Sequence, residues 1–388
     1  MVQSSAVLTN LHDLPAALRE IIDLHRDEAE AARRLPHELT EALRDAGAFR
    51  LLTPRNLGGF EASLGDAVRV YEAFGHIDAP VAWNIWNGNV GFAAALLDDD
   101  AVEDIWGGES DPIIANSARV AGAATTTDEG FVLSGRWDIV SAIDISDWVA
   151  LFGVVLENGA PRMLPVGAPD VRVFFVRRGE IEVLDTWHTT GMRGTGSNTV
   201  IADGAFVPAR RAISPFSPPR GDAPAVYRIP AFTLASHGAA AIVIGAAQAA
   251  IDAVIAIAPT KATDNGILAQ RAHAQAQIGA AQVKVHAARL LLRDAAADID
   301  AAALADAPVT EMLRARLRAA MSHAAIVSRE VLGTCQRLAS STAVYTGNPV
   351  ERHVRDGITA AQHMILAETH LDILGRLLLG LDPGTPII

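Results

Sequence analysis

The spacing of the apolar residues changes twice along the chain, and this order constrains the fold more than any single motif. From about Leu14 to Trp106, Leu and Ile recur at helical spacing. From about 112 to 230, short apolar runs are separated by Gly, Pro and Asp, which predicts antiparallel strands. From about 231 to 381, long Ala-rich helical stretches return. The sequence therefore predicts an α+β protein with domains at 1–112, 113–230 and 231–388.

The C-terminal zone divides into four helical stretches, at 232–258, 267–299, 310–338 and 350–381. Four helices of this length predict a four-helix bundle. The first stretch, FTLASHGAAAIVIGAAQAAIDAVIAIA, is apolar enough to be mistaken for a membrane span. Because Ser236, His237, Gln248 and Asp252 interrupt it, we expect a helix buried in the bundle and no membrane partner.

Charge and cysteine content exclude several classes of function. Lys plus Arg number 32 and Asp plus Glu number 45, which gives a net charge of −13 and argues against nucleic-acid or anionic-membrane binding. The single cysteine, Cys335, excludes a disulfide framework and a four-thiolate zinc site, and is compatible with the cytoplasm. The start, MVQSSAVLTN, lacks the basic and apolar regions of a signal peptide.

Histidines are frequent, but their spacing does not predict a metal site. There are 12, and we expect His353, His363 and His370 to share the last helix. His363 and His370 are about two turns apart, whereas a metal site favours ligands about one turn apart with a carboxylate nearby. HExxH and GxSxG are both missing, so neither a zinc protease nor a nucleophile elbow is predicted.

Four segments, in the order of these zones, resemble the acyl-CoA dehydrogenase superfamily. They are LRDAGAFRLLTPRNLGGFEASLGDAVRVYEAFG (43–75), GFVLSGRWDIVSAIDISDWVALFG (130–153), GMRGTGSNTVIADGAFVP (191–208) and NPVERHVRDGITAAQH (348–363). The resemblance extends over nearly the whole chain. It implies N-terminal helices, a central antiparallel β-barrel, a C-terminal four-helix bundle and assembly as a homotetramer.

The motifs are most similar to one branch, the two-component (group D) flavin-dependent monooxygenases. These motifs are GRWxxxSxIDxxDW, RGTGS followed by FVP, and Arg355-Asp356 followed by His363. Such enzymes take reduced flavin from a separate reductase, form a flavin C4a-hydroperoxide and transfer oxygen to a small organic molecule. The resemblance implies that the Ser141 hydroxyl meets flavin N5. It also implies that the His363 imidazole lies near C4a, as a donor or as a base on a phenol-like substrate.

The resemblance also suggests contacts to the cofactor, each with an ordinary structural alternative. Asn116 and Ser117 are candidates at the edge of the isoalloxazine, and Trp137 is a candidate for packing near the ring or within a strand. Arg193, Thr195 and Ser197 lie in a Gly-rich turn that either approaches the flavin or forms a plain hairpin.

The choice between FMN and FAD stays open in the sequence. Arg271 lacks the Phe-Gly that follows it in the dehydrogenases, and Ser340-Ser341 replace a Gly pair. These differences weaken the adenine-side contacts, which suits FMN or loosely bound FAD.

Two other functions remain open. An acyl-CoA dehydrogenase needs a carboxylate base, but one family position for it falls at Met364 and the other, in 229–238, contains no acid. Glu368 is the nearest displaced candidate, with a solvated carboxylate as its ordinary role. The second alternative is a non-catalytic flavin-binding homologue.

The sequence leaves the substrate pocket undefined. The monooxygenases often have a second histidine where this chain has Asn87 and Asn89, which either take its polar role or cap a helix. Aromatic side chains either line the substrate pocket or pack in the core; they are Trp83, Trp86, Phe92, Trp187 and Phe232.

Overall fold

The computed structural model describes residues 10–108, 111–264 and 266–385. Several of its N-terminal helices begin with a side-chain cap or with a proline in the first turn. In chain order the N-terminal helices are α1 (Leu14–Ala32), α2 (His37–Asp45), α3 (Leu64–Ile77), α4 (Ala79–Gly88) and α5 (Asp99–Trp106). Asp78 caps α4 by accepting from the Val81 N–H at 3.1 Å, and Pro80 fits the first turn, where no N–H is needed. Helix α4 is buried on nearly every side, so its polar side chains must find partners inside the protein.

The central region is one mixed sheet. Its strands are β1 (Ile114–Thr126), β2 (Gly130–Val140), β3 (Trp148–Glu157), β4 (Ala160–Pro161), β5 (Val171–Arg177), β6 (Glu182–Leu184), β7 (Asn198–Pro208) and β8 (Ala212–Ile213). Their spatial order is β6-β7-β2-β1-β3-β5-β8, with β4 paired to β3. The named pairs are antiparallel except β1 with β3, which is parallel.

The prediction of a purely antiparallel domain is therefore wrong at one pair. After β2 the chain passes through 141–147 and joins β1 on its other edge, in the direction of β1. Apolar alternation has the same period in both kinds of pairing, so it cannot reveal this crossover. A closed barrel is not confirmed, because the pairing path in the described chain begins at β6 and ends at β8.

The two faces of the sheet pack differently. One face forms its own core, which includes Phe131, Trp137, Val149 and Phe174. The other face packs Ile114, Trp148 and Phe175 against α5 and the stretch after α4. The second face therefore brings the sheet against the N-terminal helices.

The C-terminal region is helical, with breaks that the sequence did not predict. Its helices are α6 (Ala231–Ser236), α7 (Gly238–Ile257), α8 (Ala272–Leu304), α9 (Glu311–Ala339), α10 (Pro349–Ala360) and α11 (His370–Leu378), and a short β9–β10 pair (Ala262–Thr263 with Gly266–Ile267) precedes α8. The segment Ala231–Ile257 is long and apolar enough to cross a membrane, with a mean hydropathy of 2.1, but 67% of its most apolar window is buried. As expected, it is a core helix, although it breaks at His237.

The predicted single helix over 350–381 is wrong. The α-helix ends at Ala360, and 361–369 form a loop with one short 3₁₀ turn, Met364–Leu366. His363 adopts an extended backbone and caps this turn, since its Nδ1 accepts from the Ile365 N–H at 3.3 Å. A side chain that competes for backbone N–H groups favours a helix break of this kind. His353, His363 and His370 therefore do not share one helix.

Candidate active site

Ser141 follows the end of β2 and is almost completely buried. Its Oγ accepts from the indole N–H of Trp83, on α4, at 3.1 Å. The same Oγ lies 2.8 Å from Ser197 Oγ at the start of the segment that leads into β7. Three parts of the chain that are distant in sequence therefore meet at one hydroxyl.

The hydrogen bonds of this hydroxyl run in one direction. Thr195 Oγ1 donates to the Met192 carbonyl at 2.8 Å, which uses its only proton. Its 2.7 Å bond to Ser197 must then be donated by Ser197, and the bond between Ser197 and Ser141 must be donated by Ser141. Ser141 has spent its proton and has accepted one bond, so the one capacity left at its Oγ is as an acceptor. We call Ser141, Ser197 and Thr195 the hydroxyl chain.

The Gly-rich turn that contains Thr195 is anchored on α10 by the Arg355-Asp356 motif. Asp356 Oδ1 accepts from the Met192 N–H at 2.7 Å. Gly191 packs so close to α10 that a Cβ there would stand 2.4 Å from the Arg355 carbonyl oxygen. Burial raises the pKa of Asp356 to about 7, although the charge of Arg355 and the Met192 N–H oppose the shift. The Arg-Asp motif therefore positions the hydroxyl chain.

His363 is held as a neutral imidazole with a defined tautomer. Burial lowers its pKa to about 4. Because Nδ1 accepts from the Ile365 N–H, the proton lies on Nε2. Within the described ranges no group bonds to Nε2, which therefore offers an N–H donor.

Trp83 contacts both Ser141 and His363. Its ring lies 5.5 Å from the His363 ring at 72°, and Trp86 contacts the same imidazole at 5.8 Å. Trp83 and Trp86 pack edge to face at 4.8 Å. Trp86 is fixed by its own N–H, which donates to the Ala235 carbonyl at 2.8 Å. These contacts form a rigid aromatic group that sets the positions of Ser141 and His363 relative to each other.

A cavity opens beside this aromatic group, between α4, the sheet and α6. It has about 100 Å³ of space for the centres of water-sized molecules and is partly open to solvent. Its lining includes Trp86, Phe92, Phe152, Phe175 and Phe232. The walls are mostly apolar, as is usual for sites that bind small organic molecules.

Asn116 supplies a polar group to this cavity. Its Nδ2 donates to the Asn87 carbonyl at 2.9 Å, while no described residue donates to its Oδ1. Ser117 is next in β1, so its side chain points to the opposite face of the sheet. Asn116 and Ser117 therefore cannot both serve one ligand from the strand.

Other candidates are occupied by structural contacts. Trp137 is fully buried in the sheet's core, where its N–H donates to the Phe152 carbonyl at 2.9 Å, so this placement favours core packing over a flavin contact. Arg193 turns away from the hydroxyl chain and donates to the carbonyls of Glu30 and Thr189, both at 3.2 Å. Trp187 donates to the Met192 carbonyl at 2.9 Å.

The two asparagines near the end of α4 differ. Asn89 accepts from the N–H groups of Leu51 and Leu52 and donates to two carbonyls, so it joins α4 to the preceding loop. Asn87 donates to the Trp83 carbonyl at 3.0 Å, and its own carbonyl holds Asn116. Asn87 therefore fixes the polar group of the cavity indirectly.

The displaced dehydrogenase base is solvated. The Glu368 side chain is 64% exposed and accepts from Arg329 at 2.7 Å. Met364, at the family's base position, is also exposed. A carboxylate in water, paired with an arginine, is a poor base for proton abstraction in a closed site. The described residues also contain no group of three or more His, Cys, Asp or Glu able to hold a metal.

A second polar region, which we call the basic cleft, brings together residues that lie far apart in the sequence. Arg271, Ser340 and Ser341 line one cleft together with Lys261 and Arg337, and Asp264 and His273 complete its wall. In the part of the chain that the structure describes, Lys261, Arg271 and Arg337 form no ion pair with a carboxylate. Sequence reasoning missed Lys261 and Arg337, because neither belongs to a recognised motif.

Comparison with known proteins identifies the family. The family model described as Acyl-CoA dehydrogenase, C-terminal domain matches 237–368, and the N-terminal domain model matches 15–101. The oxygenase subunit HsaA of a flavin-dependent monooxygenase from Rhodococcus jostii (strain RHA1) is 30% identical over 87% of this chain and 89% of its own. Indole-3-acetate monooxygenase from Pseudomonas putida is 26% identical over 95% of this chain and 94% of its own.

Solved structures agree in fold along the whole chain. The HsaA monooxygenase from M. tuberculosis superposes with a TM-score of 0.88 at 27% identity and covers 98% of this chain and 100% of its own. XiaF from Streptomyces sp., solved with FADH2 and glycerol, gives a TM-score of 0.87 at 26% identity and covers 97% and 98%.

Proposed function

We propose that this chain, which belongs to the acyl-CoA dehydrogenase superfamily and to its branch of flavin-dependent monooxygenase oxygenase subunits, oxygenates a small organic substrate at the site built around Trp83. When bound, reduced flavin supplies two electrons and activates O2, so that one oxygen atom enters the substrate and the other leaves as water. The names of the relatives describe oxygenase subunits, which supports delivery of the reduced flavin by a separate reductase. The expected location is the cytoplasm.

The observation that carries this proposal is that Trp83 contacts both a hydroxyl with a free acceptor, on Ser141, and an imidazole with a free donor, on His363. The hydroxyl chain leaves Ser141 with an acceptor, and reduced flavin presents an N–H at N5. His363 Nε2 presents a donor in a mostly apolar setting. The residues present therefore fit a reduced flavin ring with activated oxygen beside it.

His363 acts as a neutral donor in this proposal. A histidine whose pKa lies near 4 is a weak base at neutral pH, and its Nε2 already holds a proton. A fixed N–H in a low-dielectric site stabilises developing negative charge on oxygen without the cost of reorienting water. Of the two roles that the sequence left open, donor and base, the structure favours the donor.

The apolar cavity supports the same function, because an organic substrate bound there would displace water from the reacting groups. Its aromatic walls leave Asn116 Oδ1 as a free polar acceptor for the substrate or the flavin edge. We assign Asn116 to orientation of the bound molecule. Thr195 and Ser197 act through Ser141 and are positioning residues.

We further propose FAD as the preferred flavin. Its phosphate groups would bind in the basic cleft, to Lys261, Arg271 and Arg337. These cations have no carboxylate partner in the described part of the chain and lie beside serine hydroxyls, and both properties favour phosphate binding. We expect Arg271→Gln to weaken binding of reduced FAD more than binding of reduced riboflavin. Equal weakening of both would assign the cleft another role.

We also propose a homotetramer. The outward face of α8 leaves apolar side chains uncovered; they are Val283, Leu290, Leu291 and Leu304. A stripe of this kind on a long helix is suited to packing against another subunit. Light scattering of the purified protein gives the number of subunits directly.

An oxygen-isotope experiment tests the activity. An unrelated NADH:flavin reductase would supply reduced FAD under ¹⁸O2, and a panel of phenols and indoles would serve as substrates. Mass spectrometry would then measure the masses of the products. The proposal predicts a product with one ¹⁸O atom. The proposal would be contradicted if no labelled product formed across the panel while the protein dehydrogenated acyl-CoA thioesters and Glu368→Gln abolished that activity.

A further inference from the structure

Two arginines on α9, the buried Arg318 and the partly buried Arg314, have no acidic partner in the described part of the chain. Arg314 and Arg318 are one turn apart and so lie on one side of the helix. Arg318 is only 5% exposed, and Arg314 Nε is fully buried and unbonded. Across the described ranges, neither guanidinium has an ion pair or a hydrogen bond to another residue.

Two other pairs of closely spaced arginines in the protein share a carboxylate. Arg289 and Arg293 share Glu72, and Arg352 and Arg355 share Glu30. Each of these two arginine pairs therefore has a shared counter-charge, which Arg314 and Arg318 lack in the described structure. Leaving a buried charge unpaired costs several kcal/mol, on the order of the whole stability of many domains.

The surroundings of Arg318 do not relieve this cost. Burial is the main cause that lowers the pKa of Arg318 to about 10, and the charge of Arg314 adds to it. At neutral pH the Arg318 guanidinium therefore remains charged. The nearby His370 has a pKa lowered by burial and by the charge of Arg318, so it favours the neutral form and supplies no counter-charge.

Arg314 lies on the wall of a second cavity that joins the first. The two cavities share Phe92, Leu96, Pro215, Ala231 and Phe232. The rest of the second cavity is bounded largely by the Pro-rich stretch 215–219 and by 227–230. A molecule with a ring in the first cavity can therefore extend toward Arg314.

We propose that Arg314 binds the carboxylate of an elongated aromatic substrate whose reacting ring occupies the first cavity, and that the charge of the neighbouring Arg318 strengthens this attraction. Guanidinium groups favour carboxylates because their donors match the two oxygens. The identity of the occupant as substrate rests on the proposed function, whereas the binding of a carboxylate does not.

Flavin phosphate is the other source of an anion in this protein. We favour the carboxylate because the basic cleft already offers three cations for phosphate. The second cavity, in contrast, is walled mainly by prolines and aromatic residues, which suit an organic acid. The experiment therefore includes an arm for each anion.

Calorimetry with matched ligands tests the inference without oxygen chemistry. The probes are indole-3-acetate and its neutral isostere indole-3-acetamide, titrated into the full chain, and into Arg314→Gln, Arg318→Gln and Arg318→Lys. Arg316→Gln is the control, because Arg316 is exposed on the same helix. A second arm compares reduced FMN with reduced riboflavin.

We expect the acid to bind at least about tenfold more tightly than the amide, as a charge-assisted hydrogen bond provides. Arg314→Gln should abolish this preference, Arg318→Gln should weaken it, Arg318→Lys should retain most of it, and Arg316→Gln should leave it unchanged. Because Arg318 has no acidic partner in the described structure, its loss breaks no ion pair, and thermal unfolding of the ligand-free variants confirms that they fold.

Equal binding of acid and amide, or binding of neither, would overturn the inference. A second result would also overturn it: the arginine variants bind the acid as before but no longer bind reduced FMN more tightly than reduced riboflavin. The arginines would then bind the flavin phosphate. Preserved acid selectivity without any oxygenation would contradict the proposed function and leave the anion site standing.

Discussion

The indole N–H of Trp83 donates to the hydroxyl of Ser141 at 3.1 Å, and the same indole ring packs 5.5 Å from the imidazole of His363. One side chain therefore sets the separation of the two groups that we assign to the flavin and to the activated oxygen. The acceptor left on Ser141 and the donor left on His363 are the groups on which the proposed function rests.

Trp83→Phe separates the hydrogen bond from the packing. The ring contact with His363 is largely kept, but Ser141 loses one donor, at a cost of about 1 kcal/mol. We expect hydrogen peroxide release per reduced flavin to rise about fivefold, measured with a peroxidase assay. Trp106→Phe, the same change in α5, serves as the control. Unchanged coupling in Trp83→Phe would show that the indole N–H has no part in positioning Ser141.

The hydroxyl chain predicts a graded effect. Ser141→Ala removes the acceptor and should shorten the lifetime of the oxygen-reactive complex at least about tenfold. Ser197→Ala keeps the acceptor but frees the Ser141 proton to rotate toward flavin N5, so its effect should be smaller. Stopped-flow absorbance measures both lifetimes. A larger effect from Ser197→Ala would contradict donation from Ser141 to Ser197.

His363 should remain neutral throughout the physiological pH range. Its pKa is lowered to about 4 by burial, so the proton enters only in strong acid. We expect its imidazole NMR signal, identified by its loss in His363→Gln, not to titrate between pH 5 and 8. A titration near the ordinary histidine value of about 6.5 would contradict the neutral-donor role.

Asp356 should make the stability depend on pH. Its folded pKa, about 7, lies above the ordinary aspartate value of 3.8, so between these values the folded state binds more protons than the unfolded state. The free energy of unfolding therefore falls as pH rises through this window, by at most about 1.4 kcal/mol per pH unit from this group.

Asp356→Asn keeps an acceptor for the Met192 N–H and cannot ionise. We expect its stability, measured by urea unfolding from pH 5 to 8, to fall less with rising pH than that of the original chain. The amide keeps the turn in place, so coupling of oxygen use should change little. Parallel pH dependences in the two proteins would place the ionisation elsewhere.

Sequence patterns predicted the order of helices and strands and the family, because periodicity and the four motifs are local properties. They placed Ser141 in one motif and Thr195 and Ser197 in another, and the fold joins these residues in one hydroxyl chain. The role of Arg355-Asp356 in anchoring that chain could not be read, since the contact from Asp356 to Met192 spans 164 positions.

The errors have equally physical causes. The parallel pairing of β1 and β3 depends on how the chain crosses between strands, which alternation does not encode. The helix break near His363 depends on a local contact, in which the His363 side chain accepts from the backbone N–H of Ile365. The surrounding residues are good helix formers, so the sequence pattern does not reveal this break. The break is also what brings His363 to Trp83.

Rapid mixing tests the central claim most directly. The protein, loaded anaerobically with reduced FAD and separately with reduced FMN, would be mixed with oxygen while absorbance is followed. The account predicts a long-lived absorbing species that precedes oxidised flavin, shortened in Ser141→Ala and His363→Ala and unchanged in Trp106→Phe. Direct reoxidation in a single phase, at the rate of free flavin, would contradict it.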